Sequence, residues 1–369
     1  MALDPARAAV RNAVRRDLPL LSDGAGGSWS PHVREDGCVM VACSGGADSL
    51  ALLAATVFEA AKTSFRVIGV TVDHGLQEGS GEHAASVVAQ MASLGVDETA
   101  SIRVTVDPGP RGIEAGAREA RYAALGQLAE HFDADRVLLG HTRDDQAETV
   151  LLGLTRGSGG RSISGMRRGW NHDEGPLTPV IWGKGQDDDG RETYLGHEEA
   201  RFSTYFSRPL LALTREQTEA ACRADGIGWW VDPHNSDPRF VRSRIRHTVM
   251  PMLERELGPG FAAALARTAD QVREDVEYLD FEADMLLQEI RVDGGYDTSH
   301  LETIGEAVKH RLIRLAALEA GALASDLTRE HVRAVAHIVY GVDEGKQVQL
   351  PGHVTAYRTG DVLRFRRTE

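Results

Sequence analysis

An α/β fold built on a doubly wound parallel sheet, followed by a mainly helical domain with a short C-terminal β element, is predicted by three observations. Short apolar runs alternate with helical stretches between residues 38 and 154. The first run, 38–43, passes into the turn Ser44-Gly45-Gly46-Ala47-Asp48-Ser49 and then into an apolar helix. Polar clusters also follow the runs at 66–72 and 136–140, as 73–76 and 141–145. Alternation at this interval places parallel strands between two layers of helices. Ligands of such sheets sit at the carboxyl ends of the strands, where these three turns would meet.

Bulk properties narrow the class. A chain of 369 residues is expected to hold two or three domains. Its 42% hydrophobic and 26% charged content is that of a soluble globular protein. No apolar run is long enough to span a bilayer, and residues 1–16 read as an amphipathic helix without the apolar core of a signal peptide. Cys38, Cys43 and Cys222 make no Cys-x-x-Cys and no even framework, so a reducing cytoplasm is expected. The net charge of −14 argues globally against nucleic acid. The charge is uneven, however. Residues 171–200 carry eight acids against Lys184 and Arg191, a net of −6, while other stretches are basic. Local patches decide phosphate binding.

In order, a first helix and a Gly/Ser-rich connection at 20–35 lead to the key strand and a helix from about Leu50 to Ala61. A strand at 66–72, a helix at 80–94 stopped by Gly95, and a strand at 99–106 follow. The loop 107–112 precedes a helix at 113–132, a strand at 136–140 and a helix through Leu154. Next come a Gly/Ser-rich loop at 156–165 and the acidic stretch, which lacks apolar periodicity and reads as a mobile insertion. Thr214-Arg215-Glu216-Gln217 is a capping-box signal for a helix ending near Gly226. Residues 229–233 read as a linker. From Phe240 the chain reads as helical, including 306–319, and it closes with β structure at 347–350 and 353–366. The expected domains are 1–228, 229–340 and 341–369.

The turn 44–49 carries the chemistry. Adjacent glycines let backbone N–H groups approach a ligand, and the next helix aims its positive end at the same spot, which makes an anion site. It is neither the usual P-loop, having no Lys after the glycines, nor Gly-x-Gly-x-x-Gly. Asp48 suits Mg²⁺ bridging phosphate oxygens, with helix capping as its alternative. His141, Asp144 and Asp145 open the helix after the fourth strand; His141 suits acid/base work or phosphate contact. Arg118 and Arg121 share a helix face and suit a phosphate clamp or a solvated face equally. The run 239–247 holds Arg239, Arg242, Arg244, Arg246 and His247 with no neighbouring acid to balance it, and so reads as a nucleic-acid contact.

These residues resemble a family. Ser44-Gly-Gly-Ala-Asp-Ser49 resembles the pyrophosphate-binding loop of PP-loop ATPases, which share an adenine nucleotide alpha hydrolase-like fold. Gly140-His-Thr-Arg-Asp-Asp-Gln-Ala-Glu-Thr-Val-Leu-Leu152, Arg156-Gly-Ser-Gly159, Gly165-Met166 and Asp232-Pro-His-Asn-Ser-Asp-Pro-Arg-Phe-Val-Arg-Ser-Arg-Ile-Arg-His247 resemble the tRNA(Ile)-lysidine synthetase family. The matches run in family order across about two thirds of the chain. The resemblance implies an ATP- and Mg²⁺-dependent carbon–nitrogen ligase. It would adenylate the wobble cytidine of tRNA(Ile) with a CAU anticodon and couple L-lysine to C2, releasing pyrophosphate and AMP, so that the tRNA reads AUA.

It further implies that Ser44, Gly45, Gly46, Ala47, Asp48 and Ser49 hold the ATP phosphates, with Asp48 on the metal. Arg118 would stabilise the adenylate, and His141 and Asp145 would work at the reacting groups. Asn235 and Arg246 would support the site from the linker, beside Arg239, Arg242 and Arg244 on the tRNA. The acidic insertion at 171–200 departs from the family pattern. A homodimer is left open, since no residue pattern sets the oligomeric state. The alternatives are another PP-loop tRNA-modifying enzyme such as a thiolase, disfavoured by the cysteines; an amidotransferase-type synthetase, which would need a glutaminase domain; and a non-catalytic nucleotide- or RNA-binding module.

Overall fold

The computed structural model describes residues 4–18, 37–75, 79–106, 113–157, 159–173, 185–186, 192–193, 203–232, 237–299, 301–340 and 346–368. Two compact units divide the chain, Met1–Glu148 with Met166–Ala263, and Thr149–Gly165 with Ala264–Glu369. The elements in chain order are α1 (Pro5–Asp17), β1 (Cys38–Ala42), α2 (Ala47–Ala60), β2 (Arg66–Asp73), α3 (Ser80–Ser93), β3 (Glu98–Arg103) and α4 (Ile113–His131). Then follow β4 (Arg136–Leu139), α5 (Arg143–Arg156), α6 (Gly160–Ile163) and β5 (Gly169–Asp173). The pair β6 (Gly185–Gln186) and β7 (Glu192–Thr193) comes next, then β8 (Ser203–Ser207) and α7 (Arg215–Ala224). The chain continues through α8 (Val241–Arg244), a π turn Ile245–Val249, α9 (Met250–Leu257) and α10 (Phe261–Glu289). It ends with β9 (Arg291–Val292), β10 (Gly295–Asp297), α11 (Glu306–Glu319), α12 (Arg329–Tyr340), β11 (Gln347–Leu350), β12 (Val354–Thr359) and β13 (Val362–Arg367).

The first unit is a six-stranded sheet of order β3-β2-β1-β4-β8-β5, parallel except for the edge strand β5. Alternating side chains of β1 feed two cores. Val39 and Val41 pack with α1, α2 and α7. Cys38 and Met40 pack with Ile68, Val70, the α4 residues Leu125 and Leu128, and Phe206 of β8. Burial on both faces is why the central strands read as continuous apolar runs. Asp4 caps α1 by accepting from Ala6 N (2.9 Å) and Arg7 N (3.1 Å), and Thr214 and Gln217 form the expected capping box on α7.

Several expectations are corrected. The sheet has six strands where four were expected, because β5 and β8 flank the acidic stretch. Their pairing register, Gly169 with Ser207 through Asp173 with Ser203, is a long-range contact that local periodicity does not carry. Residues 174–184, 187–191 and 194–200 of the expected insertion, the connection 20–35 and the loop 107–112 lie outside the described residues. The loop 156–165 contains α6. The helical region is interrupted by β9 and β10, which join the C-terminal strands in an antiparallel sheet of order β11-β12-β13-β10-β9. This sheet packs with α11 and α12 around Ile313, Val335, Val354 and Leu363 in the second unit. Among the described residues no helix is long and apolar enough to cross a membrane.

Candidate active site

The turn between β1 and α2 is built to present N–H groups. Gly45 has φ +80°, and a Cβ there would lie 2.8 Å from Val87 Cγ2, so glycine is required both for conformation and for space. Ser44 N donates to Ser49 Oγ (3.2 Å), which donates to Gly46 O (2.9 Å), tying the turn to the first turn of α2. The helix cap, Gly46, offers no side-chain acceptor to the first-turn N–H groups. Two groups brace the turn. His83 Nε2 bonds Ser44 O (3.2 Å), and Trp230 N donates to Gly45 O (2.9 Å), with the two rings 3.9 Å apart. A trans peptide sets its N–H opposite its C=O. Fixing the Ser44 and Gly45 carbonyls therefore also fixes the Gly45 and Gly46 N–H groups, each on the opposite side of its peptide from that carbonyl. Residues 229–232, expected as a linker, thus include a structural brace.

The end of β4 closes on this turn. A Cβ at Gly140 would lie 3.0 Å from backbone atoms of Asp48 and Ser49, so glycine permits the approach of the two polar turns. Asp48 sits within α2 and does not cap it, which removes the capping alternative. Its carboxylate accepts from the Thr218 hydroxyl and lies 3.5 Å from Arg215 Nε. Burial pushes the Asp48 carboxyl up to about 6, against the lowering effect of Thr218 and Arg215.

Asp145 Oδ2 accepts from both Thr142 N and Thr142 Oγ1 at 2.9 Å. Asp145 Oδ1 takes Arg215 Nη2 (3.0 Å) and Arg246 Nη2 (3.2 Å). Burial alone would raise Asp145, but Arg215 leads the groups that hold it below the usual carboxylate range. Asp144 Oδ2 accepts from Arg215 N (2.9 Å), so the two consecutive acids serve different helix ends. Glu148 binds Arg246 through Nε (2.7 Å) and Nη2 (3.0 Å), and Arg242 Nε (3.2 Å). Asp48, Asp145 and Glu148 thus interleave with Arg215, Arg246 and Arg242 in one charge-balanced network.

The basic run 239–247 is therefore split, which corrects the reading that no acid balances it. Arg242 and Arg246 face the network, and Arg246 is 21% exposed. Arg239, 82% exposed, pairs with Asp237 at 2.6 Å. Arg244 Nη1 donates to Pro238 O (2.7 Å) and Arg239 O (3.0 Å) on the exposed side. Asn235 lies outside the described residues.

A second cluster surrounds His141. Arg208, 3% exposed, donates from Nε to His141 Nδ1 (3.2 Å), from Nη1 to Arg167 O (2.6 Å) and from Nη2 to the Tyr122 hydroxyl (3.1 Å). Its guanidinium stacks 3.9 Å over Trp170. Burial pulls Arg208 down to about 10. Arg118 and Arg121 stand 5.1 and 5.5 Å from the Tyr122 ring. Burial, then Arg208, push the His141 imidazole well below its ordinary range. Arg208, Arg215, Thr218, Tyr122, His83 and Trp230 were missed from the sequence, whereas Glu148 closes the run from His141 that the sequence does mark. Local hints to the others were Arg208 directly before Pro209 and Arg215 inside the capping box.

The PP-loop domain family matches residues 28–253 of this chain, and the TilS substrate binding domain family matches residues 297–368. The tRNA(Ile)-lysidine synthase of Salinispora arenicola is 43% identical over 97% of this chain and 95% of its own length. The chain belongs to the tRNA(Ile)-lysidine synthase family. The synthase of Streptomyces coelicolor is 44% identical over 89% of this chain and 85% of its own, and that of Thermobifida fusca 43% over 94% of each. Among solved structures, the U34-tRNA thiolase NcsA from Methanococcus maripaludis with its 4Fe-4S cluster superposes with a TM-score of 0.50. It covers 73% of this chain and 78% of that one at 14% identity, a likeness of fold alone. For this lysidine synthase family member, both matched segments agree with the observed architecture, a parallel α/β sheet first and an antiparallel sheet last.

Proposed function

We propose that this chain is an ATP-dependent tRNA(Ile)-lysidine synthase. The supporting observation is the convergence of an uncapped, braced anion turn with the His141–Asp145 turn at one sheet edge, in a chain of this family. In the proposed reaction, O2 of the wobble cytidine in tRNA(Ile) with a CAU anticodon attacks the α-phosphorus of ATP, and the bond to the pyrophosphate oxygen breaks. The ε-nitrogen of L-lysine then attacks C2, the C2–O bond breaks and AMP leaves, the nitrogen giving up a proton. Such chemistry needs positioning and charge stabilisation more than a protein nucleophile. The N–H groups of Gly45 and Gly46, with Ser44 and Ser49, would bind the phosphates. Arg118, Arg121 and Arg208 would stabilise negative charge near His141.

Mg²⁺ fits Asp48. This hard oxygen donor is only partly compensated by Arg215 and Thr218, as its raised pKa records. Bound there with ATP, the ion would neutralise phosphate charge. Asp145, held ionised, would orient Arg215 and Arg246. Exposed Arg239 and Arg244 would meet tRNA phosphates. A cytoplasmic location, where ATP, tRNA and lysine are at hand, is part of this reading. A thiolase reading is opposed by the cysteines. All three are buried, and burial raises Cys38 and pushes Cys43 and Cys222 up to about 12, whereas the thiolate is the reactive form. The test is to supply ATP, Mg²⁺ and CAU-anticodon tRNA without lysine. Pyrophosphate should appear with adenylated tRNA, and AMP only when lysine is added. AMP release that ignores lysine would overturn the ligase reading.

A further inference from the structure

We infer that Arg208 is a positioning residue that locks His141 as a neutral imidazole protonated on Nε2, so that His141 acts as a hydrogen-bond donor and not as a general base. The role in the reaction rests on the function proposed above; the tautomer rests on geometry alone.

A guanidinium N–H can only donate. Its bond from Arg208 Nε to His141 Nδ1, at 3.2 Å, therefore needs a lone pair on Nδ1. An imidazolium would set N–H against N–H, so the ring is neutral, and its one proton is on Nε2. Arg208 cannot easily swing away. It follows β8, is 3% exposed, stacks on Trp170 and is held by Arg167 O and the Tyr122 hydroxyl. The other charged or titratable groups around His141 reinforce the neutral state. Arg118 and Arg121 approach from α4, together with Tyr122, and Asp145 approaches from α5. That makes three cations against one carboxylate, and Asp145 is already engaged by Arg215, Arg246 and Thr142.

A fixed Nε2–H suits an oxygen acceptor, either a phosphoryl oxygen or O2 of the cytidine, on which negative charge builds. The donor persists through neutral pH because the ring does not titrate there. The proton shed by the lysine nitrogen passes to water and not to His141, and His141 itself breaks and forms no covalent bond.

Nitrogen NMR of isotope-labelled histidine in the full chain tests this without substrate, with His141→Gln assigning the signal. The expected spectrum shows Nδ1 unprotonated and Nε2 protonated, unchanged across about pH 5 to 8. Arg208→Met should yield mixed tautomers and a visible titration. An Nδ1–H ring or an imidazolium near pH 6 in the wild-type protein would overturn the proposal, whatever the fate of the Arg208 variant. Activity provides a second arm. A Gln amide can replace the donor but not a base, so His141→Gln should stay within about tenfold of wild type, while His141→Ala loses about a hundredfold. Equal loss in both would remove the donor role. If lysine never enters tRNA, the functional reading fails while the spectrum still decides the tautomer.

Discussion

Asp48 is where position and charge conflict. Its carboxyl is raised from the ordinary 3.8 to about 6, so the folded state holds a proton there that the unfolded chain has lost. This contribution to stability is present below the ordinary value and is lost as pH rises through about 6, by up to about 3 kcal/mol. Asp48→Asn should flatten that part of the pH dependence in denaturant unfolding while reducing pyrophosphate release by about a hundredfold. Retained wild-type pyrophosphate release would remove Asp48 from the chemistry. Arg246 and Arg244 make a second residue-scale contrast. Arg246→Ala strips Glu148 of its two shortest bonds and should cost about 1–3 kcal/mol in unfolding free energy. Arg244→Ala should leave stability within about 0.5 kcal/mol. It should also lower the salt slope of tRNA binding by about one counterion. An unchanged slope would exclude Arg244 from the tRNA surface. The turn residues 44–49, His141 and Asp145 were legible because their pattern is local. Arg208 and Arg215 were not. Arg208 finds His141 from 67 residues away by a hydrogen bond and Arg215 finds Asp145 from 70 by an ion pair, and a contact of that span leaves no mark on either neighbourhood.

Among the elements, β1, β2 and β4 were legible as apolar runs because they are buried on both faces. β5 and β8 were hidden. Gly169–Asp173 and Ser203–Ser207 are short, polar-rich and separated by the acidic stretch, and they become strands only by pairing with one another and with β4. Phe206 checks that correction. It is fully buried against Tyr122 and Trp170, so Phe206→Ala should lose about 3–5 kcal/mol in denaturant unfolding. A loss near zero would detach β8 from the core. The brace on α3 makes a prediction of its own. His83→Ala frees the Ser44 carbonyl and should raise KM for ATP about two- to tenfold, with kcat changed less. An unaltered KM would mean that the turn holds its shape without His83.

At the scale of the whole molecule, the Ser44–Ser49 turn, a carboxylate–arginine network and an arginine-ringed histidine lie in one unit. The family's substrate-binding domain occupies the last part of the chain. The charge pattern matches this division of labour. The overall charge is −14, yet guanidinium groups gather where phosphate would sit. The most direct test supplies ATP, Mg²⁺, labelled L-lysine and total tRNA to the intact protein and follows the label. Label should enter one tRNA species, the isoleucine tRNA with a CAU anticodon, with one AMP released per lysine incorporated. ATP cleavage with no lysine in tRNA would contradict the account.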